Sequence, residues 1–301
     1  MKKNITKILI VSILAVTLVF ILTACGGLNN LFRNGGGSDN TQTDGGGTKG
    51  NDDNGGNKSD NEDKDAPPVF SFATDSWATI AAHSASGKAN AVYSVGDEKI
   101  IELSTGEKVT LQILGFDHDE LSDGTGKAGI TIGLKHLLAA TARMDSISWY
   151  TNGWGASLVR TVTLANIFPQ LPQDLQPLIK TVSKNTMIGG GPSGGQVPIA
   201  LQTHEDKLFL FSRVEIDGTT LDFYKDEGNQ YEFWRTVRNG NVSSQRIKLL
   251  ANGFGNATDW WLRTCNTAGA GAAATRISAS GTFTDNTSPA NFSGVSFGFC
   301  L

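Results

Sequence analysis

Four carboxylates, Asp117, Asp119, Glu120 and Asp123, stand within seven residues of one polar stretch, "FDHDELSDGTGKAG". Hard oxygen ligands at this density are the chemistry of a calcium loop. An EF-hand starting at Asp117 needs Gly at its sixth position and Glu at its twelfth, and the chain has Ser122 and Ala128 there. An irregular calcium loop stays compatible with the residues; a solvated acidic loop is the default. The same stretch approaches a phosphate-binding loop. A Walker A motif needs Gly five residues before the GK glycine and Ser or Thr after the Lys. Leu121 and Ala128 occupy those positions, so an ordinary turn is expected. His83, His118, His136 and His204 are scattered, with no two-His metal spacing. No G-x-S-x-G occurs, and no G-x-G-x-x-G joins a strand to a helix. Cys265 as a nucleophile needs a histidine partner that sequence does not place. No complete catalytic motif emerges, and no metal or cofactor is expected.

The aromatic candidates lie in "WWLRTC", Trp260 to Cys265. In a strand, neighbours point to opposite faces. One of the two rings then faces the core, and the other faces a second layer, a groove or solvent. Trp261 and Arg263 share a face and can stack, which makes them the candidate ligand-binding pair, as in a glycan site. The competing reading packs both rings under helices and uses Arg263 to tie loops together. Cys265 and Cys300 form an even pair, and outside the cytoplasm such a pair permits a disulfide. The alternative is two buried thiols.

The elements that must position these residues divide into strand runs and helix runs, which predicts an α+β fold with an antiparallel or mixed sheet and segregated helices. Residues 91–95, 99–103 and 108–116 have the β-branched and aromatic content of a meander, with turn residues between them. Apolar residues at Ile132, Leu134, Leu137, Leu138 and Met144 predict a helix over 132–143. A second helix is expected from an N-cap at Ser157 to Pro169, and a shorter one from Pro172. Strands are expected over 207–216, 260–264, 274–278 and 294–299, and a short helix in "QYEFWRTVRN". "IGGGPSGGQ" is expected to be an exposed loop.

The start of the chain is organised differently. Lys2, Lys3 and Lys7 precede an apolar run from Ile8 to Leu22, which is followed at once by "LTAC". A basic segment and a short apolar segment form a signal peptide, and the run is short for a membrane span of ~20 residues. "LTAC" resembles the lipobox of bacterial lipoproteins. That resemblance implies cleavage after Ala24, a diacylglycerol on Cys25, and an extracytoplasmic chain held to the membrane by lipid. The expected organisation is 1–24 signal peptide, 25–68 lipidated cysteine and linker, and 69–301 one α+β domain. Gly26 to Ala66 is rich in Gly, Asn and Asp and cannot bury enough surface to fold. As a flexible coil, roughly 40 residues span ~35 Å on average. The formal charge of −4 argues against a nucleic-acid partner.

Six segments then stand in a fixed order: "AGITIGLKHLLAATARM", "NGWGASLVRTVTLANIFPQLPQDLQPLIKTV", "KLFLFSRVEI", "EGNQYEFW", "WWLR" and "GVSFGFC". As an ordered set over 91–301 they resemble an uncharacterised bacterial family, a domain of unknown function found on lipoproteins and other secreted proteins. Members usually continue "WWLR" with Ser and Pro, where this chain has Thr264 and Cys265. The resemblance implies no catalytic residue. The aromatic, Arg and Gly-rich terminal strands are similar to C-type-lectin-like and sulfatase-modifying-factor-like domains. That analogy implies terminal strands closed into one sheet and irregular loops presented for binding, here the small-residue region 266–294. A binding or adhesion module for a surface glycan or protein is therefore expected. A wall-associated enzyme is the alternative, and it requires a pocket of clustered Asp, Glu or His with perturbed pKa values. A purely structural envelope protein is the third reading.

Overall fold

A computed structural model of the chain describes residues 68–148, 150, 153–188, 200–218, 224–235, 242–251, 255–266 and 273–301. They belong to one unit, Asp65–Leu301. The main sheet has five strands: β1 (Glu98–Glu102), β2 (Lys108–Phe116), β3 (Ile130–Leu134), β12 (Phe297–Cys300) and β7 (Phe209–Leu210), in that spatial order. All four pairings are antiparallel. The C-terminal strand thus sits inside the sheet. Helix α1 (Trp77–Ala85), capped by Ser76, lies against it. Trp77 meets Phe299 edge-on at 6.4 Å, and Ser84 Oγ donates to the Leu301 carbonyl at 2.5 Å.

A second sheet orders β10 (Phe283–Thr287), β9 (Ala273–Ile277) and β8 (Trp260–Asn266). β5 (Val182–Ile188) and β6 (Ala200–Asp206) form a hairpin, and β4 (Ala142–Arg143) pairs with β11 (Phe292–Ser293). Short helices complete the chain: α2 (Ala89–Val92), α3 (Gly153–Ala156), α4 (Ala165–Ile167), α5 (Arg213–Asp217), α6 (Glu232–Arg235) and α7 (Val242–Arg246). The architecture is α+β.

The segment 132–143 is not the expected helix. Its first part is β3, whose five residues are all buried. Ile130, Ile132 and Leu134 alternate with Thr131 and Gly133, but Ile132, Leu134, Leu137, Leu138 and Met144 also fit helical spacing, and over so short a run the two periods compete. Gly133 decides the matter sterically. A Cβ there would lie 2.7 Å from Leu114 Cδ1 and 2.9 Å from Phe211 Cζ. The backbone of β3 packs where a side chain has no room. Residues 91–95 are not a strand: Ala91 and Val92 end α2, and 93–95 lead through a turn into β1.

The expected strand over 207–216 stops at Leu210. Ser212 and Glu215 form a reciprocal capping box that starts α5, and Gly218 ends it at φ 64°. The second expected helix is present as a run of wide, regular and tight helical turns from Val159 to Gln170. Ser157 Oγ accepts from the Arg160 N–H at 3.2 Å. The third shrinks to one turn, Gln176–Leu178. β8, β9 and the end of β12 lie where strands are expected. The Gly-rich loop 189–196 lies outside the described residues.

Candidate functional site

Two segments build the site. One is the turn 116–120 that follows β2. The other is the run 229–233 that enters α6. Asp117 adopts φ 47°, a left-handed conformation that Asp tolerates better than most residues. This turn leaves Asp117 exposed and Phe116 half-buried, and buries Asp119. The second segment divides the same way: Tyr231 is buried, Glu232 is exposed and Phe233 is half-buried.

Beneath both segments lies a buried charge network. Lys184, pointing inward from β5, is 2% exposed. Its Nζ donates to Asp119 Oδ1, to Glu215 Oε1 at 2.9 Å and to the Tyr231 hydroxyl at 2.9 Å. It also sits 3.8 Å from the centre of the Phe209 ring. Asp119 accepts from Thr131 Oγ1 at 2.5 Å, and Tyr231 OH lies 3.1 Å from both carboxylate oxygens. Glu215 comes from the first turn of α5. It accepts from the Ser212 N–H at 2.9 Å and holds Arg263 in a fork, Nη1 at 2.5 Å and Nη2 at 2.8 Å.

Arg263 is fully buried on β8. Besides Glu215, its guanidinium donates to the carbonyls of Leu210 at 2.8 Å, Glu227 at 2.6 Å and Asn185 at 3.2 Å. All five N–H groups are used. Glu227 accepts from the Met187 N–H at 2.9 Å and from the Thr264 hydroxyl. His118 stacks on Tyr231 at 4.0 Å and reaches the Asn229 carbonyl at 3.1 Å.

The charges set one another. Burial pushes Asp119 up, but Lys184 and His118 together hold its carboxyl well below the usual range. Burial raises Glu215 too, and Arg263 and Lys184 reverse that. Lys184 is depressed by burial but held above its ordinary value by Asp119 and Glu215. Glu227 differs. Burial dominates and lifts it from 4.5 to about 7, against the pull of Arg263 and Thr264.

That difference has a measurable consequence. In the unfolded chain Glu227 ionises near 4.5 and in the folded chain near 7. Its contribution to stability is fully present below pH 4.5 and is lost as pH rises to about 7. The loss is ~3 kcal/mol, at 1.36 kcal/mol per unit. Glu227→Gln mimics the protonated acid and removes this slope. Urea unfolding at pH 4.5 and pH 7.5 checks it: the variant gains on the wild type at the higher pH.

Two hollows flank the turn 116–120. A cavity of about 160 Å³ lies over the charge network, lined by His118, Asp119, Lys184, Asn185, Glu227 and Arg263 among others. On the other side is a larger cleft of about 740 Å³. Its walls are the half-buried rings of Phe116 and Phe233 and the buried Tyr93. Around them stand Asn90, Ser94, Asp117, Glu232 and Gln245. The charge network grips Asp119 and Tyr231, so it fixes from below the two segments that line this cleft.

The residues singled out by sequence divide between these features. Arg263 lines the cavity, but as the saturated partner of Glu215 rather than an exposed platform. Trp261 is fully buried, as is Trp260. Their indole N–H groups donate to the Ala142 carbonyl at 2.8 Å and the Arg246 carbonyl at 2.9 Å. β8 packs against α3, β5 and β7 as well as β9, so neither ring reaches solvent, and Trp261 offers no ligand a surface. Cys265 and Cys300 are free buried thiols, and the disulfide considered from sequence is absent. They stand in different sheets. Cys265 Sγ contacts the Tyr150 carbonyl, and Cys300 Sγ contacts Asp119.

The four acidic residues diverge. Asp119 is in the network, Asp117 is in the cleft, Glu120 is 3.8 Å from Lys127, and Asp123 accepts from Thr125. Among the described residues no three His, Cys, Asp or Glu side chains are grouped to hold a metal. Cys25 and the apolar run 8–22 lie outside the described residues. Sequence reading did not find Lys184, Glu215 or Glu227. Only Glu215 carried a local signal, the S-x-x-E spacing of Ser212 to Glu215.

The fold and site define an α+β domain in which a polar cleft rests on a neutralised charge core. The chain belongs to the family described as "Domain of unknown function (DUF6273)", which matches residues 133–301. No curated protein and no solved structure matches the chain.

Proposed function

We propose that this is a lipid-anchored, extracytoplasmic surface protein whose domain, residues 69–301 and C-type-lectin-like in plan, binds a hydroxyl-rich glycan. The observation that carries the reading is the 740 Å³ cleft. Aromatic faces and hydrogen-bonding amides, hydroxyls and carboxylates are the groups that hold a sugar ring by its two chemical aspects. The buried network beneath supplies the rigidity that makes such binding inexpensive in entropy. The analogy to lectin-like domains draws support from one sheet containing both the first and the last strand. In the anchored chain, "LTAC" supplies the lipid on Cys25, and residues 25–68 carry the domain away from the membrane. Glycan-array screening of the purified protein tests the binding reading. Binding to at least one glycan class is expected; a folded protein that binds none on the array, nor in pull-downs from cell-wall polysaccharide, refutes it.

A second reading has a specific observation behind it. The cavity holds clustered acids and a histidine, with Glu227 at about 7, as a wall-associated hydrolase requires. It ranks lower because Asp119, Lys184, Glu215 and Arg263 spend their hydrogen bonds on one another. Turnover of a wall glycan that is abolished by Glu227→Gln would favour it.

A further inference from the structure

We propose that Lys184 and Asp119 become joined by an amide bond inside the folded domain, with Glu215 as the base that relays the proton. The backbone brings the two residues into register. Leu121 and Val182 form an antiparallel bridge, and the Ser183 N–H donates to the Glu120 carbonyl at 2.9 Å. Lys184 and Asp119 are 2% and 5% exposed. The ammonium lies between aromatic walls, 3.8 Å from the Phe209 ring centre and 5.5 Å from that of Tyr231.

The two carboxyls on Lys184 have different surroundings, and this assigns their roles. Glu215 is held by Arg263 through two bonds and by its own helix cap. Those bonds fix its carbon away from attack and leave Oε1 on Nζ at 2.9 Å, placed to take its proton. Asp119 meets, besides Lys184, the hydroxyls of Thr131 and Tyr231, the Cys300 thiol at 3.4 Å and the His118 ring at 3.6 Å. These groups can follow charge onto its oxygens.

The chemistry balances without a co-reactant. One proton passes from Nζ to the Asp119 carboxylate, leaving a neutral amine and a neutral acid with no change in net charge. The ion pair is the resting form, and the neutral pair is the minor form from which attack starts; burial narrows the gap between them. The Nζ lone pair attacks Asp119 Cγ, and the oxyanion receives the Tyr231 and Thr131 hydroxyls. Glu215 accepts a second proton from Nζ and passes it to the departing hydroxyl. One N–C bond forms, one C–O bond breaks and one water leaves. The product has two buried charges fewer and keeps Glu215 neutralised by Arg263. The bond would tie the turn 116–120 to β5 in a domain where Cys265 and Cys300 are unpaired. It does not depend on which ligand the cleft takes.

Peptide mapping by mass spectrometry of the denatured full-length protein tests the bond. The expected product is one branched peptide joining the segments that hold Asp119 and Lys184, lighter by one water than the two linear peptides together. Lys184→Arg keeps the charge and should yield only linear peptides; Glu215→Gln should yield the branched one in much lower amount. Linear peptides alone from folded wild-type protein overturn the proposal. A branch from Lys184 to Glu215 overturns the role given to Asp119, and full branching in folded Glu215→Gln overturns the role given to Glu215.

Discussion

Arg263→Met lowers the stability of the domain by about 3–5 kcal/mol, the cost of leaving a buried charge without its partner. Glu215 loses both arms of the fork, and the carbonyls of Leu210, Glu227 and Asn185 lose their donor. Against a total of roughly 5–15 kcal/mol for a domain, this is the most damaging single change in the site. Arg263→Lys does not restore it, because a point charge cannot reproduce the planar fork. The double variant Arg263→Met with Glu215→Gln recovers part of the loss, since the orphaned charge is then gone. Urea midpoints for wild type, Arg263→Met, Glu215→Gln and the double variant measure the coupling. Equal midpoints for Arg263→Met and wild type would show that the fork does not hold the fold.

Trp261→Ala costs a similar ~3–5 kcal/mol, through a cavity in a region with no free volume. It also strips the Ala142 carbonyl of its donor. Trp261→Phe keeps most of the packing and loses the hydrogen bond, at ~1 kcal/mol. Neither change alters glycan affinity in protein that remains folded, because the ring lines neither the cleft nor the cavity. Thermal unfolding and binding measured on the same preparations separate the two effects. An affinity loss in folded Trp261→Phe would return Trp261 to the site.

What the sequence made legible follows from how each element is buried. β8 announces itself through the aromatic residues of "WWLRTC", whereas β9, "AATRI", offers only Thr275 and Ile277 as strand formers. β3 did not announce itself: its alternation, Ile130, Ile132 and Leu134 against Thr131 and Gly133, spans only five residues, and the apolar residues beyond it extend the series at helical spacing. β5 was invisible for a more telling reason. Its inward positions are Val182, Lys184 and Thr186, so the face that enters the core is largely polar. The residue that breaks the strand pattern is the centre of the charge network, an instance of local rules failing where a site is built. Arg263 was found by its neighbours, Trp260 and Trp261, and the reading that has it tie loops together agrees with the carbonyls it holds; the fork to Glu215 had no signal. Strand alternation places a side chain on a face without saying that the face is covered. Glu227 and Asp119 sit in loops, where only the fold reveals that a carboxylate is buried.

The central claim is that the cleft between Phe116 and Phe233 takes the ligand. Within the region 266–294, of which 267–272 lie outside the described residues, Phe292 marks a rival surface: it is 60% exposed and Arg143 lies 4.6 Å from its ring. The direct measurement is the affinity of a bound glycan for wild type, Phe233→Ala and Phe292→Ala by calorimetry, each shown to be folded. The cleft predicts a loss of about tenfold, near 1.4 kcal/mol, in Phe233→Ala and unchanged affinity in Phe292→Ala. Unchanged binding in Phe233→Ala with loss in Phe292→Ala would contradict it and move the site to the surface beside Arg143.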